Sequence, residues 1–165
     1  TSLCEKSQIP LAKRLLKTYA HKIVLPIDVV CAPSLDSPVR MIVGVNSIPS
    51  NVAAYDVGPF TVTLFSKHIR NAKTVFWNGP LGVFEQQPFD ASTNALAKVL
   101  ADASEHGVQS IIGGGDTVSA INQAGVAHSM THISTGGGAS LEFVQGNPLA
   151  ALLALSKSPK TSRRR

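Results

Sequence analysis

Residues 110–138 read S-I-I-G-G-G-D-T-V-S-A-I-N-Q-A-G-V-A-H-S-M-T-H-I-S-T-G-G-G, and this stretch decides the fold. Two short apolar runs, 110–112 and 131–134, each lead straight into a glycine triplet: Gly113, Gly114 and Gly115, then Gly136, Gly137 and Gly138. Each triplet opens a helical pattern, and Gly125 and Gly146 supply the stops. Glycine lets backbone N–H groups approach a ligand with no Cβ in the way. The first turn of a helix leaves several of those N–H groups unpaired and partly positive. A strand, a glycine run and a helix start therefore make an anion site, usually for phosphate. Two in tandem suggest a polyphosphate ligand, or a phosphate passed from one place to another.

Outward from this stretch, the pattern alternates helix and strand. Residues 59–70 form a helix with Val62, Phe65 and Ile69 on one face, and residues 73–77 (K-T-V-F-W) form a strand. Asn78, Gly79, Pro80, Leu81 and Gly82 then supply turn chemistry. Residues 89–106 make the longest helix, with Leu96, Val99, Leu100 and Ala103 inward and Gly107 as its stop. Residues 148–155 (P-L-A-A-L-L-A-L) make a short apolar helix. Nearer the N-terminus, residues 9–20 read as an amphipathic helix, with Lys13, Arg14 and Lys17 off its apolar stripe. Residues 22–30 (K-I-V-L-P-I-D-V-V) read as a strand buried on both faces, with Pro26 as an irregularity. Residues 39–45 give a second strand, and residues 46–58 a long connection. The pattern predicts an α/β fold: three layers, a mostly parallel sheet with helices on both faces, Rossmann-like. Ligands in such sheets sit at the carboxyl ends of the strands, where the loops after Trp77, Ile112 and Ser134 all lie.

At 165 residues the chain is one ordinary domain by length, with enough apolar content for a core. Cys4 and Cys31 fit a reducing compartment better than a disulfide framework. No apolar run is long enough to cross a membrane, and the first ten residues are no signal peptide. The first residue is Thr1 rather than Met, which implies that the natural chain starts upstream. The sequence pI of about 9.5 invites a nucleic-acid reading, which the charge distribution argues against. The whole net charge of +5 resides in residues 157–165 (K-S-P-K-T-S-R-R-R), so residues 1–156 are neutral. That tail is expected to be disordered and solvated.

Asp116 follows the first triplet, either as an N-cap or as a carboxylate facing a Mg²⁺ that rides on nucleotide phosphates. Thr117 adds a hydroxyl. The stretch is neither a G-x-x-x-x-G-K-[ST] loop nor a G-x-G-x-x-G fingerprint with a later acid. The second loop, residues 134–140, offers hydroxyls and N–H groups but no charge. Fixed donors of that kind suit a phosphoryl group in flight, whose charge is spread over several oxygens. The plainer reading is a glycine-rich turn that packs the sheet. Glu85 is a solvated acid or, at the mouth of a nucleotide cleft, an acceptor for ribose hydroxyls. The five histidines lack ligand-like spacing, the cysteines form no zinc or redox motif, and G-x-S-x-G is absent. Trp77 reads as core rather than as a stacking platform.

Residues 74–85 (T-V-F-W-N-G-P-L-G-V-F-E), 111–117 (I-I-G-G-G-D-T) and 132–142 (H-I-S-T-G-G-G-A-S-L-E) closely resemble phosphoglycerate kinase, in order and in spacing. The resemblance runs to about residue 155, with 23–30, 48–49 and 56–59 as weaker anchors. It implies the later part of the C-terminal, nucleotide-binding domain of a two-domain kinase: residues 1–156 as a partial domain, then the tail 157–165. It also implies reversible phosphoryl transfer between 1,3-bisphosphoglycerate and MgADP, in glycolysis, by a protein that is typically monomeric and cytoplasmic. By resemblance, Gly114, Gly115, Asp116 and Thr117 bind the nucleotide phosphates, with Asp116 on Mg²⁺. Glu85 binds the ribose, Asn78 and Pro80 line the phosphate and nucleotide cleft, and Val83 lines the adenine pocket. Gly136, Gly137 and Gly138 stabilise the transferring group. The basic domain for 3-phosphoglycerate and the family's Gly-Gly-Ala-Lys stretch have no counterpart here. Residues 51–55 (N-V-A-A-Y) depart from the family's Gly-Trp-Met-Gly-Leu-like run, and Ala54 stands where a glycine allows close approach. Residues 148–155 correspond to a segment that packs toward the absent domain, so their leucines are expected to be exposed. Two other readings stand beside this one: an inactive nucleotide-binding or interaction module on the same scaffold, and a dinucleotide-dependent oxidoreductase, which the missing fingerprint disfavours.

Overall fold

A computed structural model describes residues 4–134 and 136–157. Thr135 and the tail beyond residue 157, with its expected disorder, lie outside the described residues. In chain order the elements are α1 (Ile9–Tyr19), β1 (Asp28–Ala32), β2 (Met41–Gly44), β3 (Ala53–Val57), α2 (Pro59–Asn71), β4 (Thr74–Asn78), α3 (Ala91–Glu105), β5 (Gln109–Gly113), α4 (Gly115–Gln123), β6 (His132–Ser134), α5 (Gly137–Val144) and α6 (Ala150–Lys157). Short 3-10 turns flank α1 and precede β6.

The strands form two sheets rather than one mostly parallel sheet. β4, β5 and β6 are parallel in that order, as the alternating pattern predicts. β2, β1 and β3 form a separate antiparallel sheet, which corrects the expectation for the first half. Two local causes account for the difference. Pro26 has no N–H for a ladder, so β1 begins at Asp28 and runs on to Ala32. Val24, Leu25 and Ile27 are exposed rather than buried on both faces. β3 lies inside what reads as a long connection; its ladder to β1 shifts register between Val30 and Cys31, an irregularity that blurs strand periodicity.

The parallel sheet is covered on both faces. Alternate strand residues point to opposite sides. Trp77, Ile112 and Ile133 are in register and pack on Ala97, Leu100 and Ile121 of α3 and α4. Phe76, Ile111 and His132, one residue earlier, line a cleft with Ala139, Ser140 and Phe143 of α5. Trp77 is thus the core residue that the sequence suggests, its indole N–H donating to the Gly79 carbonyl at 2.7 Å. The leucines of α6 are exposed as expected, Leu155 at 71%. All five histidines are exposed. Cys4 and Cys31 are free thiols, Cys4 exposed and Cys31 buried.

Asp28 joins the two halves. Gly58, the N-cap of α2, has no side chain to offer the helix, and Asp28 supplies the carboxylate across 30 residues of sequence. Its oxygens accept from Phe60 N–H at 3.0 Å, Thr61 N–H at 2.7 Å and the Thr61 hydroxyl at 2.6 Å. A Cβ at Gly58 would strike that carboxylate. Burial pushes the Asp28 carboxyl up, but the donors from Thr61 and Phe60 outweigh it and hold the group below its ordinary value.

A carboxyl depressed in the fold stabilises it fully above the unfolded value of about 3.8, and this contribution is lost as pH falls through the folded value. Asp28→Asn is therefore expected to cost about 1.5–3 kcal/mol at pH 7 in urea unfolding, the range for hydrogen bonds to a charged group. The gap from the parent should narrow as pH drops below 3.8. A constant gap from pH 7 to pH 3 would show that Asp28 contributes by shape alone.

Candidate functional site

Parallel register brings the strand ends level. Asn78 pairs with Gly113, and Gly113 with Ser134, so the three loops leave the sheet side by side. Each is then fastened to its neighbour. Thr117 Oγ1, on a residue 1% exposed, accepts the Gly79 N–H at 2.6 Å and ties the loop after β4 to the start of α4. The loops after β5 and β6 touch at glycine: a Cβ on Gly137 would lie 2.8 Å from Gly114 Cα. Gly114 has φ +90°, a conformation that L side chains rarely adopt, and a Cβ there would also meet the Asn78 amide at 3.4 Å.

Two helix starts face this junction. In α4 the first intrahelical bond runs from Val118 N–H to Gly114 O at 3.0 Å, which leaves the N–H groups of Gly115, Asp116 and Thr117 outside the ladder. In α5 the corresponding bond runs from Ser140 N–H to Gly136 O at 2.9 Å, which frees those of Gly137, Gly138 and Ala139. Gly115 and Gly138 look onto open space. Two hydroxyls of the second loop are already engaged: Ser134 Oγ and Ser140 Oγ lie 2.8 Å apart, and Ser140 Oγ donates to Gly136 O at 3.0 Å. Among the described residues, the free donors of this loop are therefore backbone N–H groups.

Asp116 is not an N-cap. That position belongs to Gly114, and Asp116 is the second residue of α4. Its carboxylate is exposed and has no hydrogen bond or ion pair among the described residues. No group of three His, Cys, Asp or Glu side chains able to hold a metal occurs among them either. The arrangement thus suits a divalent cation that arrives on phosphate and takes one carboxylate, the usual habit of Mg²⁺, and does not suit an all-protein metal cage.

The loop after β4 is pinned along its length by residues that sequence reading leaves unmarked. Leu81 N–H donates to Thr93 Oγ1 at 3.1 Å, and Val83 N–H to Tyr55 O at 2.9 Å. Gly82 lies so close to the Phe89 carbonyl and the Asp56 carboxylate that a Cβ would collide with both. Asp56 in turn accepts from Ser92 N–H at 3.0 Å, from the Ser92 hydroxyl and from Val57 N–H at 2.8 Å. Burial pushes the Asp56 carboxyl up, these donors pull it back in part, and the Asp90 carboxylate adds to the rise. Only the D-V-G-P run at 56–59 hinted at Asp56; Thr93 left no signal, because its partner is twelve residues away on a turn.

Asn78, Gly114, Thr117 and Gly137 therefore meet, with Gly115, Asp116, Gly136 and Gly138 directly beside them. Pro80 is half-buried in the same loop as Asn78. Val83 is placed next to Tyr55 of β3 instead. Glu85 is exposed, and no hydrogen bond or ion pair links it to the glycine loops among the described residues. Among those residues, no helix is long and apolar enough to cross a membrane.

Comparison with known proteins places this geometry in a family. The phosphoglycerate kinase family matches residues 1–147. A phosphoglycerate kinase of Chloroflexus aggregans is 46% identical over 158 residues, 93% of this chain and 40% of the relative. One from Chlorobium phaeobacteroides is 47% identical over 159 residues, with 94% and 40% covered. The solved phosphoglycerate kinase of Coxiella burnetii superposes with a TM-score of 0.85 at 37% identity, over 94% of this chain and 40% of that one. The chain thus spans about 40% of the length of these relatives. It belongs to the phosphoglycerate kinase family.

Proposed function

We propose that this chain supplies part of the nucleotide side of a phosphoglycerate kinase, within a partial nucleotide-binding domain at residues 1–156. The observation that carries the reading is the junction of three loops around Gly114, Thr117 and Gly137, with an unpartnered carboxylate at its edge. On this reading Gly114, Gly115 and Thr117 hold the phosphates of ADP or ATP through backbone N–H groups at the positive end of α4. Asp116 would hold the Mg²⁺ that comes with them, which would supply neutralisation of the phosphate charge. Without a cation, a carboxylate at an anion site repels its own ligand. Its placement there is the best argument for a metal–nucleotide complex over bare phosphate.

Gly136, Gly137 and Gly138 contribute donors already fixed in place to the group in transfer, so no reorganisation is needed as charge moves between oxygens. Val83, with Tyr55 behind it, lines the base site; Glu85 takes the ribose; Asn78 and Pro80 line the cleft between. The acceptor side, 3-phosphoglycerate, belongs to residues outside this sequence. In-line transfer needs both substrates positioned together, so turnover is a property of the longer protein. A cytoplasmic location is the accompanying proposal. A second reading, a nucleotide-binding or interaction module without turnover, is favoured by Ala53 and Ala54, which lie in strand β3 where the family resemblance places glycine and larger side chains.

Titration calorimetry with MgADP is expected to show binding that Asp116→Asn weakens by at least the roughly tenfold that loss of even an outer metal partner costs. Equal binding by parent and variant would remove Asp116 from the site. Gly137→Ala is expected to cost about 1–3 kcal/mol of stability, because its methyl meets Gly114 backbone that has no flexible end to move aside. It should weaken MgADP binding as well; an unperturbed variant would mean that the two loops are not coupled. In a coupled assay with 3-phosphoglycerate and MgATP, the 165-residue chain alone is expected to give no turnover. Substantial activity would overturn the assignment of the acceptor side to residues outside this sequence.

A further inference from the structure

The two ends of the proposed nucleotide site are held by different halves of the fold. Thr117 and the approach of Gly114 to Gly137 brace the phosphate end within the parallel half. Val83 and Glu85, at the nucleoside end, sit on the loop after β4, and this segment is fastened to the antiparallel sheet. Val83 N–H donates to the Tyr55 carbonyl of β3 at 2.9 Å. Further along the loop, the Gln86 side-chain amide donates to the Leu35 carbonyl at 3.2 Å and to Asp36 Oδ1 at 3.2 Å, in the turn between β1 and β2. Ala32 at the end of β1 pairs with Ala53 at the start of β3, so the two anchors come from neighbouring strands.

The chemistry of Gln86 fits that place. A primary amide carries two N–H donors on one nitrogen, and here that nitrogen faces two acceptors, a carbonyl and a carboxylate oxygen. The backbone around it is closed as well: Gln86 N–H donates to Val83 O at 3.1 Å, and Phe89 N–H to Gln86 O at 2.9 Å. Phe84 is buried and Gln86 half-buried, while Glu85 between them is exposed. Glu85 therefore has a backbone held on each side and a carboxylate that faces solvent. A carboxylate on a loose segment would lose more conformational freedom on meeting a ligand, which opposes binding.

We infer that Gln86 is a positioning residue for the nucleoside end: its tie to Leu35 and Asp36 sets the backbone from which Glu85 reaches the ribose of a nucleoside diphosphate or triphosphate. The tie takes no part in holding phosphate, because the glycine loops are braced without it. It gives the turn between β1 and β2 a part in the site, as the point against which the nucleoside end is placed. It also accounts for the ability of Glu85 to act with no bond to the glycine loops, since its placement comes from the antiparallel sheet. The inference rests on the nucleotide reading and deepens it.

Titration calorimetry with two ligands tests it. Magnesium pyrophosphate carries phosphates alone, and MgADP adds the nucleoside. Gln86→Glu keeps the shape of the side chain but turns both donors into acceptors, so a carboxylate would face the Leu35 carbonyl and the Asp36 carboxylate. It is expected to weaken MgADP binding about fivefold, the worth of one hydrogen bond, and to leave magnesium pyrophosphate binding unchanged. Gln86→Ala, which removes the donors and adds no charge, should shift the ratio of the two affinities in the same direction. Amide exchange at residues 83–86 should quicken in both variants without ligand. Adding Asp36→Lys to Gln86→Glu gives the new carboxylate a cation and should return MgADP binding toward that of the parent. Three results would overturn the inference: an unchanged ratio in both Gln86 variants, equal loss of both ligands, or no recovery with Asp36→Lys. A parent chain that does not bind MgADP would overturn the nucleotide reading and this inference with it. A parent that binds MgADP, matched by its Gln86 variants, would overturn this inference alone.

Discussion

The contact between Gly114 and Gly137 is the constraint on which the candidate site depends. Two backbones can approach this closely only where neither carries a Cβ, and a Cβ at Gly137 would stand 2.8 Å from Gly114 Cα. The contact follows from parallel register, which leaves Gly113 and Ser134 at one level. It also sets the spacing of the two helix starts, and hence of two sets of free N–H groups. Thr117 extends the same logic to the third loop. Its hydroxyl is spent on Gly79 N–H, so its role is to hold the loop after β4 against α4, and what it offers a ligand is its N–H.

An anion site made of backbone, as proposed, would leave no mark in charge composition. Residues 1–156 are neutral, the surplus cations lie in the tail, and neither glycine loop carries a cationic side chain. The partial charge of helix ends acts over a single turn and is fixed in direction. It can therefore be placed at a junction of loops with no long side chain to order. The one formal charge at the junction is negative. An acid in the first turn of a helix is favoured by the helix dipole, and on the proposed reading Asp116, which would weaken a site for bare phosphate, calls for a cation in the ligand.

What was legible in the sequence follows the range of the interactions. The glycine triplets, the helix stops and the parallel half of the sheet depend on local chemistry, and all appear in the structure within a residue or two. Asp116 failed as an N-cap because the turn is taken two residues earlier, at Gly114, whose positive φ no sequence pattern announces. The antiparallel half was misread because β3 exists only through its pairing with β1, over a register shift. Asp28 and Asp56 were missed as braces because their partners lie more than thirty residues away, on the first turns of α2 and α3. Val83 lies beside Tyr55, whereas among the described residues no hydrogen bond or ion pair ties Glu85 to the loops, so the nucleoside end of the proposed site is less built than the phosphate end.

This difference has a physical origin. The phosphate end is assembled from three neighbouring strands and their helix starts, all inside the sequence, and each loop is braced by the next. Elsewhere surfaces stay open: β4's outer edge has no paired strand among the described residues, and Val24, Leu25 and the apolar side chains of α1 and α6 are exposed. Apolar groups in water there forgo about 25 cal/mol for each Å² left uncovered. The marginal stability of any domain leaves little room for such exposure. The loops close through glycine contacts and one threonine, whereas the outer edge of the sheet that carries them, at β4, has no strand paired with it among the described residues.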